Sequence, residues 1–410
     1  MRKIRSLRRL APFLCVLPLG CGSADDAALL SPGAPGVPSE SDVSPTLSTT
    51  DDITLPVADP VLAGGACAGK LAEGTFGAAL CSCEDTRIAG YLETREFDAS
   101  ATSSERAGSV GVNRNYTTSG HADVGGSFTV AGAEDIRFAG LVRAGADLLF
   151  NPAANVAGVV EVGRDAWLAR EMRAFGRVEI ARDLYAPAGA GFRGIAVVDV
   201  GGDEHTQAIA IEPPCPCGAG EIIDVAALVS DAEENNDNAL AGFDADALNA
   251  AVGLVQTRLP GGRFFVNQIG GVGAINLRVG GKAALFVGGD VTATGRFRIE
   301  LEPGAELDLF VRGNLTLTGA AEFGDAERPA ATRIYVGGTG DVAIAGYSAF
   351  IGNLYAPTAD ILVGGYGDVR GSLFGKNIVA AGFLEVGYDE VITESGEDCP
   401  PDDIDVPRIR

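Results

Sequence analysis

A short phrase repeats five times between Leu285 and Asp389, and it constrains the fold more than any other feature of this chain. Each copy begins with Asp or Asn and an aliphatic residue, and reaches a glycine and then another apolar residue at fixed positions. The copies start at Asp290, Asn314, Asp341, Asp360 and Asn377, and their glycines are Gly295, Gly319, Gly346, Gly365 and Gly382. Units of about 17 to 27 residues are typical of stacked coils, so the phrase predicts a solenoid.

A second repeat precedes the first and has a fixed period of 18 residues. It recurs in three sets: Gly140, Gly158 and Gly176; Val142, Val160 and Val178; Asp147, Asp165 and Asp183. Eighteen residues suit three short strands with corners, at about 3.3 Å per strand residue. Both blocks therefore predict an all-β fold, a single-stranded parallel β-helix that we expect to be right-handed, with a small helical insertion.

The composition along the chain predicts four regions. These are a lipoprotein-type signal peptide at 1–20, a flexible tether at 21–60, the β-helix at 61–392 and an acidic C-terminal tail at 393–410. Within the β-helix we expect a lead-in or cap at 61–130, coils at 131–187, an insertion at 188–262 and further coils at 263–392. Apolar spacing predicts two helices in the insertion, near 222–229 and over 244–259.

The N-terminus has the pattern of a secretory signal. Five basic residues between Arg2 and Arg9 precede the apolar run Leu10–Leu19, and Gly20 precedes Cys21. This pattern predicts lipidation of Cys21 and an extracytoplasmic protein that is lipid-anchored to the bacterial outer membrane or cell surface. An ordinary signal peptide with a chance cysteine is the alternative.

The chain is strongly acidic, with a formal net charge of −24. Removing residues 1–20 takes away five basic residues and leaves 26 Lys and Arg against 55 Asp and Glu, a formal charge of −29. Such a charge excludes nucleic acid as a natural partner. Basic partners and divalent cations remain compatible with it.

Side chains alternate along a strand, so the repeat predicts which positions face inward. The ten predicted inward residues are all apolar: Val291, Ala293, Leu315, Leu317, Val342, Ile344, Ile361, Val363, Ile378 and Ala380. The outward positions change from threonine to apolar residues along the stack. We expect the apolar part to be a contact face covered by the 221–259 insertion or by a partner, and it comprises Ala343, Ala345, Leu362, Val379 and Ala381.

The outward threonines invite comparison with ice-binding surfaces. They are Thr292 and Thr294 in one coil and Thr316 and Thr318 in the next. Two coils are too few for a plane that matches an ice lattice, so polar decoration of the strands is the better interpretation.

The cysteines that follow Cys21 are expected to form disulfides, because the predicted compartment is oxidising. The candidates are Cys67, Cys81, Cys83, Cys215, Cys217 and Cys399. The Cys-Ser-Cys pair at 81–83 can bridge to the Cys-Pro-Cys pair at 215–217, which would fasten the lead-in region to the insertion. A metal site of four thiolates is the alternative.

Metal and catalytic sites are weakly indicated. The acidic run that begins at Asp231 offers oxygen ligands for Ca²⁺ but lacks the spacing of an EF-hand, and no other cofactor is expected. Its candidate ligands are Asp231, Glu233, Glu234 and Asp237. His205 follows three acidic residues, which we interpret as a solvated loop. The repeated Asp and Asn residues predict corner formation through Asx turns and not a catalytic acid, base and nucleophile.

Several phrases resemble an uncharacterised bacterial family of secreted proteins and lipoproteins. They are Ala79–Asp85, Val162–Trp167, Pro214–Cys217, Asn236–Asn238, Ala284–Asp290, Glu306–Val311, Gly352–Pro357 and Gly387–Glu390. The C-terminal coils are similar to a domain found in pilus-assembly-associated and "choice-of-anchor" surface proteins. The resemblance implies a parallel β-helix outside the cytoplasm, and no established activity.

Together these patterns favour a non-enzymatic, membrane-tethered protein with a structural, adhesive or assembly role at the cell envelope. Its expected partners are the membrane, through the lipid anchor, and another protein or a second copy. A polysaccharide-binding or polysaccharide-degrading β-helix is the alternative. A groove that gathers two carboxylates and a basic residue would favour that alternative.

Overall fold

The computed structural model describes residues 71–97, 108–345 and 349–395. The predicted parallel β-helix is confirmed, because these residues form a β-solenoid of about 14 turns that is only 9% helical. The predictions for the signal peptide, Cys21, the tether, Cys67, Cys399 and the tail beyond residue 395 lie outside the described residues. The hand of the helix stays a prediction.

The N-terminal block contains one short helix followed by short strands. Its elements are α1 (Leu71–Thr75), β1 (Leu80–Ser82), β2 (Thr86–Ile88), β3 (Tyr91–Glu96), β4 (Val110–Val112), β5 (Tyr116–Thr118), β6 (His121–Val124), β7 (Phe128–Val130), β8 (Ile136–Phe138), β9 (Val142–Ala144), β10 (Leu148–Phe150), β11 (Ala154–Val156), β12 (Val160–Val162), β13 (Ala166–Leu168), β14 (Glu171–Ala174), β15 (Arg177–Ile180), β16 (Leu184–Ala186), β17 (Gly191–Gly194), β18 (Val197–Val200) and β19 (Glu204–Thr206).

Two helices and the C-terminal block follow. Their elements are α2 (Val225–Glu234), α3 (Asn238–Ala241), β20 (Asn249–Ala251), β21 (Leu254–Leu259), β22 (Gly262–Val266), β23 (Ile269–Gly271), β24 (Ala274–Val279), β25 (Lys282–Val287), β26 (Val291–Ala293), β27 (Phe297–Leu301), β28 (Glu306–Val311), β29 (Leu315–Leu317), β30 (Ala321–Glu322), β31 (Thr332–Val336), β32 (Val342–Ala345), β33 (Phe350–Gly364), β34 (Tyr366–Ala380) and β35 (Phe383–Tyr388). Short 3-10 helices occupy Pro329–Ala331 and Glu390–Glu394.

Each coil contributes one strand to each of three faces, and every strand pair is parallel. Face 1 carries β1, β4, β7, β10, β13, β16 and β19 in one block and β22, β25, β28 and β31 in the other. Face 2 contains β2, β5, β8, β11, β14 and β17 together with β20, β23, β26 and β29. Face 3 contains β3, β6, β9, β12, β15 and β18 together with β21, β24, β27 and β30. The long strands β33 and β34 bend around the corners and serve more than one face.

The two blocks join in the middle of the solenoid. The first described strand, β1, lies between β34 and β4, and β2 lies between β34 and β5. On face 3, β3 lies between β35 and β6. We call this junction of β1–β3 with β34–β35 the seam. Both ends of the solenoid are consequently built from internal residues, β17–β19 at one end and β20–β22 at the other.

The return segment, residues 207–248, connects these distant ends. Two disulfides, Cys81–Cys215 and Cys83–Cys217, hold it to β1 and the residue after it. Further along, the backbone N–H of Ile223 donates to the Tyr355 hydroxyl at 3.1 Å. Helix α2 follows and is capped by Asp224, whose carboxylate accepts from the N–H of Ala227. The helix packs on face 1 against β22, β25 and β28. The segment therefore runs back past the seam to the opposite end.

A second apolar layer lies between face 1 and the return segment. Phe286, Phe310 and Tyr335 point outward from face 1 and stack with ring centroids 4.8 and 4.7 Å apart. Phe76, just after α1, packs on Tyr335 at 5.7 Å. All four rings are buried. Aromatic burial of this kind accounts for the position of α2, since its Val225, Val229 and Ala232 are also buried.

The solenoid interior follows the alternation expected from the sequence. Leu317 and Ile344 are partly buried, and the other eight predicted inward residues are buried. One corner is lined by glycines because successive coils approach closely there. A Cβ built on Gly158 would lie 2.7 Å from the carbonyl carbon of Gly140, and one built on Gly120 would meet the carbonyl oxygen of Gly90. No side chain fits at that separation.

Three boundaries differ from the sequence predictions. Residues 80–97 and 108–130 belong to coils in the centre of the solenoid and not to a cap, because β1–β3 pair on both edges. The insertion is shorter than 188–262, since β17–β19 and β20–β22 are coils. The helix predicted over 244–259 is wrong: β20 and β21 occupy most of it, and Leu254–Leu259 pairs in register with Ala274–Val279. Pairing with a neighbouring coil overrides local helical spacing. The helix predicted near 222–229 is confirmed as α2.

Candidate functional site

A shallow groove of about 440 Å³ lies along face 3 of the N-terminal block, at β9, β12, β15 and β18. Parallel pairing without register shifts places equivalent residues of successive coils directly above one another. Arg143 therefore lies beside Glu161, Glu161 beside Glu179, and Glu179 beside Asp199. These outward side chains, together with Arg177, form the charged wall of the groove.

The groove's charges pair with each other. The Arg143 guanidinium lies 2.7 Å from Glu161 and 2.8 Å from Asp123, so it bridges carboxylates of the coils on both sides. The hydrogen bond that Arg143 donates to the Glu161 carboxylate raises the pKa of Arg143 above its usual value. Arg177 forms an ion pair with Glu179 within one strand. Nearby, burial raises the pKa of Tyr91, and the charges of Asp123 and Glu93 add to that effect.

This arrangement suits hydrogen bonding to a polar ligand better than acid–base chemistry. A general acid is a carboxyl kept protonated by apolar surroundings, next to a second group that stays ionised. The side chains of Glu161 and Glu179 are 36% and 42% exposed, and each faces an arginine. The groove does gather three carboxylates and two arginines, which is the feature expected of a polysaccharide-binding or polysaccharide-degrading face.

These groove residues are not among the sites predicted from the sequence. The signal was present, because Arg143, Glu161 and Glu179 each follow a valine of the 18-residue repeat. The residues that follow these valines point outward and stack in register, so they form a separate ladder of charged side chains along face 3.

The repeated aspartates of the N-terminal block form a ladder at the corner before face 1. The Asp147 carboxylate accepts the N–H of Asp165 at 3.1 Å, and Asp165 accepts the N–H of Asp183 at 3.0 Å. Asp183 in turn accepts the N–H of Asp203 at 2.8 Å. This backbone hydrogen bond is the largest influence that lowers the pKa of Asp183. The aspartates thus join one coil to the next, as corner residues do.

The Asp and Asn residues of the five-fold phrase behave in the same way at another corner. Asp290 accepts the N–H of Asn314 at 2.7 Å. At the seam, the N–H of Asp85 donates to Asn377 at 2.9 Å, and Asp85 accepts from the N–H of Asn115 at 3.2 Å. One ladder of corner residues therefore continues across the junction of the two blocks.

The calcium candidates are not assembled into an oxygen cage. Asp231 pairs with Arg263 at 3.0 Å, and Glu233 with Arg312 at 3.3 Å. Asp237 accepts the N–H of Arg263, while Glu234 is exposed. Within residues 71–97, 108–345 and 349–395, no group of three or more His, Cys, Asp or Glu side chains is placed to hold a metal ion.

Four of the cysteine candidates are joined as the sequence suggested, Cys81 to Cys215 and Cys83 to Cys217. His205 stacks on Tyr185 with centroids 4.6 Å apart, and its Nε2 lies 3.6 Å from Asp183. Tyr185 stacks in turn on Trp167 at 3.8 Å. Because the rings stack on one another, this ladder offers ring edges to a ligand and few ring faces.

The predicted contact face is a short strip on face 2. Ala343, Leu362 and Val379 are neighbours in register, and Arg87 follows Val379 across the seam. Ala343 and Ala381 are exposed, and Leu362 and Val379 are partly buried, whereas the side chain of Ala345 lies outside the described residues. The prediction that the 221–259 insertion covers this strip is wrong, because α2 packs on the aromatic layer of face 1. Covering by a partner stays a prediction.

Across the described part of the chain, no helix is both long and apolar enough to cross a membrane. No curated protein matches the sequence. A crystal structure of an ice-binding protein from an Antarctic bacterium, Flavobacteriaceae, is similar to this chain at 10% sequence identity. The match covers 80% of this chain and 98% of that one, with a TM-score of 0.17. Residues 216–395 match the family described as "Domain of unknown function (DUF7305)". The match spans most of the return segment and the C-terminal block and supports the resemblance to an uncharacterised family there.

Proposed function

We propose that this is a non-enzymatic, membrane-tethered extracytoplasmic β-helix protein with a structural, adhesive or assembly role at the bacterial cell envelope. One observation carries the proposal: the polar side chains of successive coils are engaged in holding the coils together. The corner ladder from Asp147 to Asp203 and the bridges made by Arg143 are examples. A protein built in this way presents a rigid surface and not an acid–base site.

The proposed location rests on two further observations. Disulfides persist in oxidising compartments, and the return segment carries two of them. The N-terminal residues have the signal pattern that ends in Cys21. Kinship with pilus-assembly-associated and "choice-of-anchor" surface proteins is part of the same proposal.

Metabolic labelling with palmitate, combined with protease treatment of intact cells, tests the location. The wild-type chain should incorporate label and be digested from outside, whereas Cys21→Ala should lose the label. Cys15→Ala serves as the matched control, because it alters a cysteine in the segment expected to be removed, and it should keep the label. An unlabelled wild-type protein would contradict the lipid anchor, and a labelled protein resistant to external protease would contradict a surface-facing position.

The groove on face 3 favours a second candidate, binding of a polysaccharide. Arg143 and Arg177 offer donors to hydroxyl or carboxylate groups, and the flanking carboxylates offer acceptors. If the candidate holds, a glycan array should yield a ligand whose binding weakens about tenfold or more in Arg177→Ala. Arg298→Ala, which removes a similarly exposed arginine from face 3 of the other block, should bind normally. Absence of any glycan ligand, or equal loss in both variants, would reject this candidate.

A further inference from the structure

Large exposed apolar residues concentrate at the two ends of the solenoid. Among the described residues, the strongly exposed ones include Ile195 (81%) and Val197 (72%) at one end, and Val252 (85%) and Val272 (74%) at the other. Leu240 and Leu254 add to the second end. Exposed apolar surface that is confined to particular coils, and absent from most of the others, indicates a contact.

Several of these exposed apolar residues occupy the same structural position in their coils. It is the residue that precedes the corner between faces 2 and 3, and wherever its side chain is described it is exposed, except at the partly buried Gly364. In the central coils it is small or polar: Thr294, Thr318, Ala381, Ala89, Ser119, Ala139 and Ala157. It becomes large and apolar only in the two coils nearest each end: Val252 and Val272, and Phe175 and Ile195.

Both ends also have open strand edges on faces 2 and 3. Within the described residues, β17 pairs only with β14, and β18 only with β15. At the other end β20 pairs only with β23, and β21 only with β24. Face 1 differs at this second end, because residues around Asp237 and Asn238 hydrogen-bond to the free edge of β22. An open strand edge is a template for adding another strand.

We propose that these two ends bind each other in separate copies of the chain, so that the solenoids stack head to tail. β17 and β18 of one copy then pair with β20 and β21 of the next, in the same parallel direction as every pair within the solenoid. Phe175, Ile195 and then Val252 and Val272 of the next copy form one continuous apolar stripe at the corner. A contact between unlike ends leaves an open end on each assembly, so it propagates as a chain of copies.

A contact between the β17–β19 ends of two copies is less favourable than head-to-tail stacking. Asp199, Asp203 and Glu204 lie there, and a two-fold contact would bring these carboxylates toward their own copies. At the other end, the strands β21 and β22 carry no acidic residue, and their Arg258 and Arg263 form ion pairs with Glu302 and Asp231.

This inference gives the proposed assembly role a partner, a second copy, and rests on that role. Palmitate labelling and protease treatment report only the location, so either proposal can fail alone. The test of stacking uses sedimentation velocity of the full chain over a range of concentrations. Ile195→Asp blocks one end and Val252→Asp the other, each at the same structural position. Ala157→Asp introduces the same charge at that position in a central coil and is the matched control.

The wild-type chain and Ala157→Asp should form species larger than dimers as concentration rises. Ile195→Asp and Val252→Asp should each remain monomeric, with association weakened about tenfold or more. A mixture of these two variants should give a dimer and nothing larger, because one unblocked end of each kind is present. Unchanged circular dichroism spectra and melting temperatures exclude misfolding. A monomeric wild type, a single-end variant that still dimerises, or a mixture that stays monomeric would each overturn head-to-tail stacking.

Discussion

Replacing all four bridging cysteines by serine is expected to lower the free energy of unfolding by about 7 kcal/mol, whereas replacing either bonded pair alone should cost only about 2 kcal/mol. The two disulfides have the same sequence separation of 134 residues. Once one is present, the other closes only a small ring. In the chain-entropy description, the long loop contributes about 5 kcal/mol and a ring of about six residues about 2 kcal/mol.

Chemical denaturation followed by circular dichroism measures these differences. The variants are Cys81→Ser with Cys215→Ser, Cys83→Ser with Cys217→Ser, and all four together, so that no partner thiol is left free. Either remaining bridge should preserve most of the stability. Single-pair costs that already equal half of the combined cost would contradict the shared-loop explanation.

The position of the disulfides predicts which strands lose stability when the bridges are removed. Cys81 and Cys83 belong to the first described coil, which meets the last one at the seam through strand pairing and through side-chain contacts such as the hydrogen bond from Asp85 to Asn377. Without the bridges, amide hydrogen exchange is expected to rise first in β1–β3 and in β34–β35, because solenoid stability is a sum of contacts between neighbouring coils. Uniform protection across all coils would argue against a weak seam.

Replacing Arg333 by methionine is expected to destabilise the protein by about 3 kcal/mol or more. Arg333 is 3% exposed and bonds Asp308 through two nitrogens, at 2.6 and 2.8 Å. It also donates to Glu306 at 3.0 Å and to the carbonyl of Ala330 at 3.1 Å. Its loss leaves two carboxylates of neighbouring β28 close together without their shared cation. Stability against urea is the measurement.

Two comparisons separate this effect from loss of packing. Arg298→Met removes a solvent-exposed arginine that pairs with Glu300 and Glu322, and should cost less than about 1 kcal/mol. Adding Asp308→Leu to Arg333→Met should recover part of the loss, because it removes one of the unpaired charges. If the double variant is less stable than Arg333→Met alone, unpaired charge is not the cause.

The same network predicts a dependence on pH. Burial alone would raise the pKa of Glu306, but the charges of Arg333 and Lys282 outweigh it, and the pKa is lowered from its ordinary value of 4.5. As pH falls, the unfolded chain takes up this proton before the folded one does. The contribution of Glu306 is therefore present above about pH 4.5 and is lost as pH falls through the folded pKa. In Arg333→Met the stability should fall less steeply over that acidic range.

The repeating coil and its inward-facing residues were predictable from the sequence. The five-fold phrase and the 18-residue repeat recur along one chain, and side chains alternate along a strand, so register and inward positions follow from local spacing. The corner role of the Asp and Asn residues follows from their own short side chains. The bridging of two Cys-x-Cys pairs was predictable as an option, because each pair has one obvious counterpart.

The order of the coils was not predictable in this way. Leu80 pairs with Leu373, almost 300 residues away, and no repeat distinguishes that neighbour from any other coil. The helix expected over 244–259 failed for a related reason: an apolar run of that length suits a helix or a strand, and only the neighbouring coil at Ala274–Val279 decides between them.

The groove and the end surfaces depend on the same long-range choice. Arg143, Glu161, Glu179 and Asp199 become one wall only when their coils are stacked in register. Val252 and Ile195 are end residues only because β1–β3 pair with β34–β35 at the seam and leave coils from the middle of the sequence outermost. By itself, then, the sequence determined the repeating unit, which is fixed by local sterics and alternation. Tertiary structure alone decided which coils are neighbours, because strand pairing is almost equally favourable between any two coils of similar width.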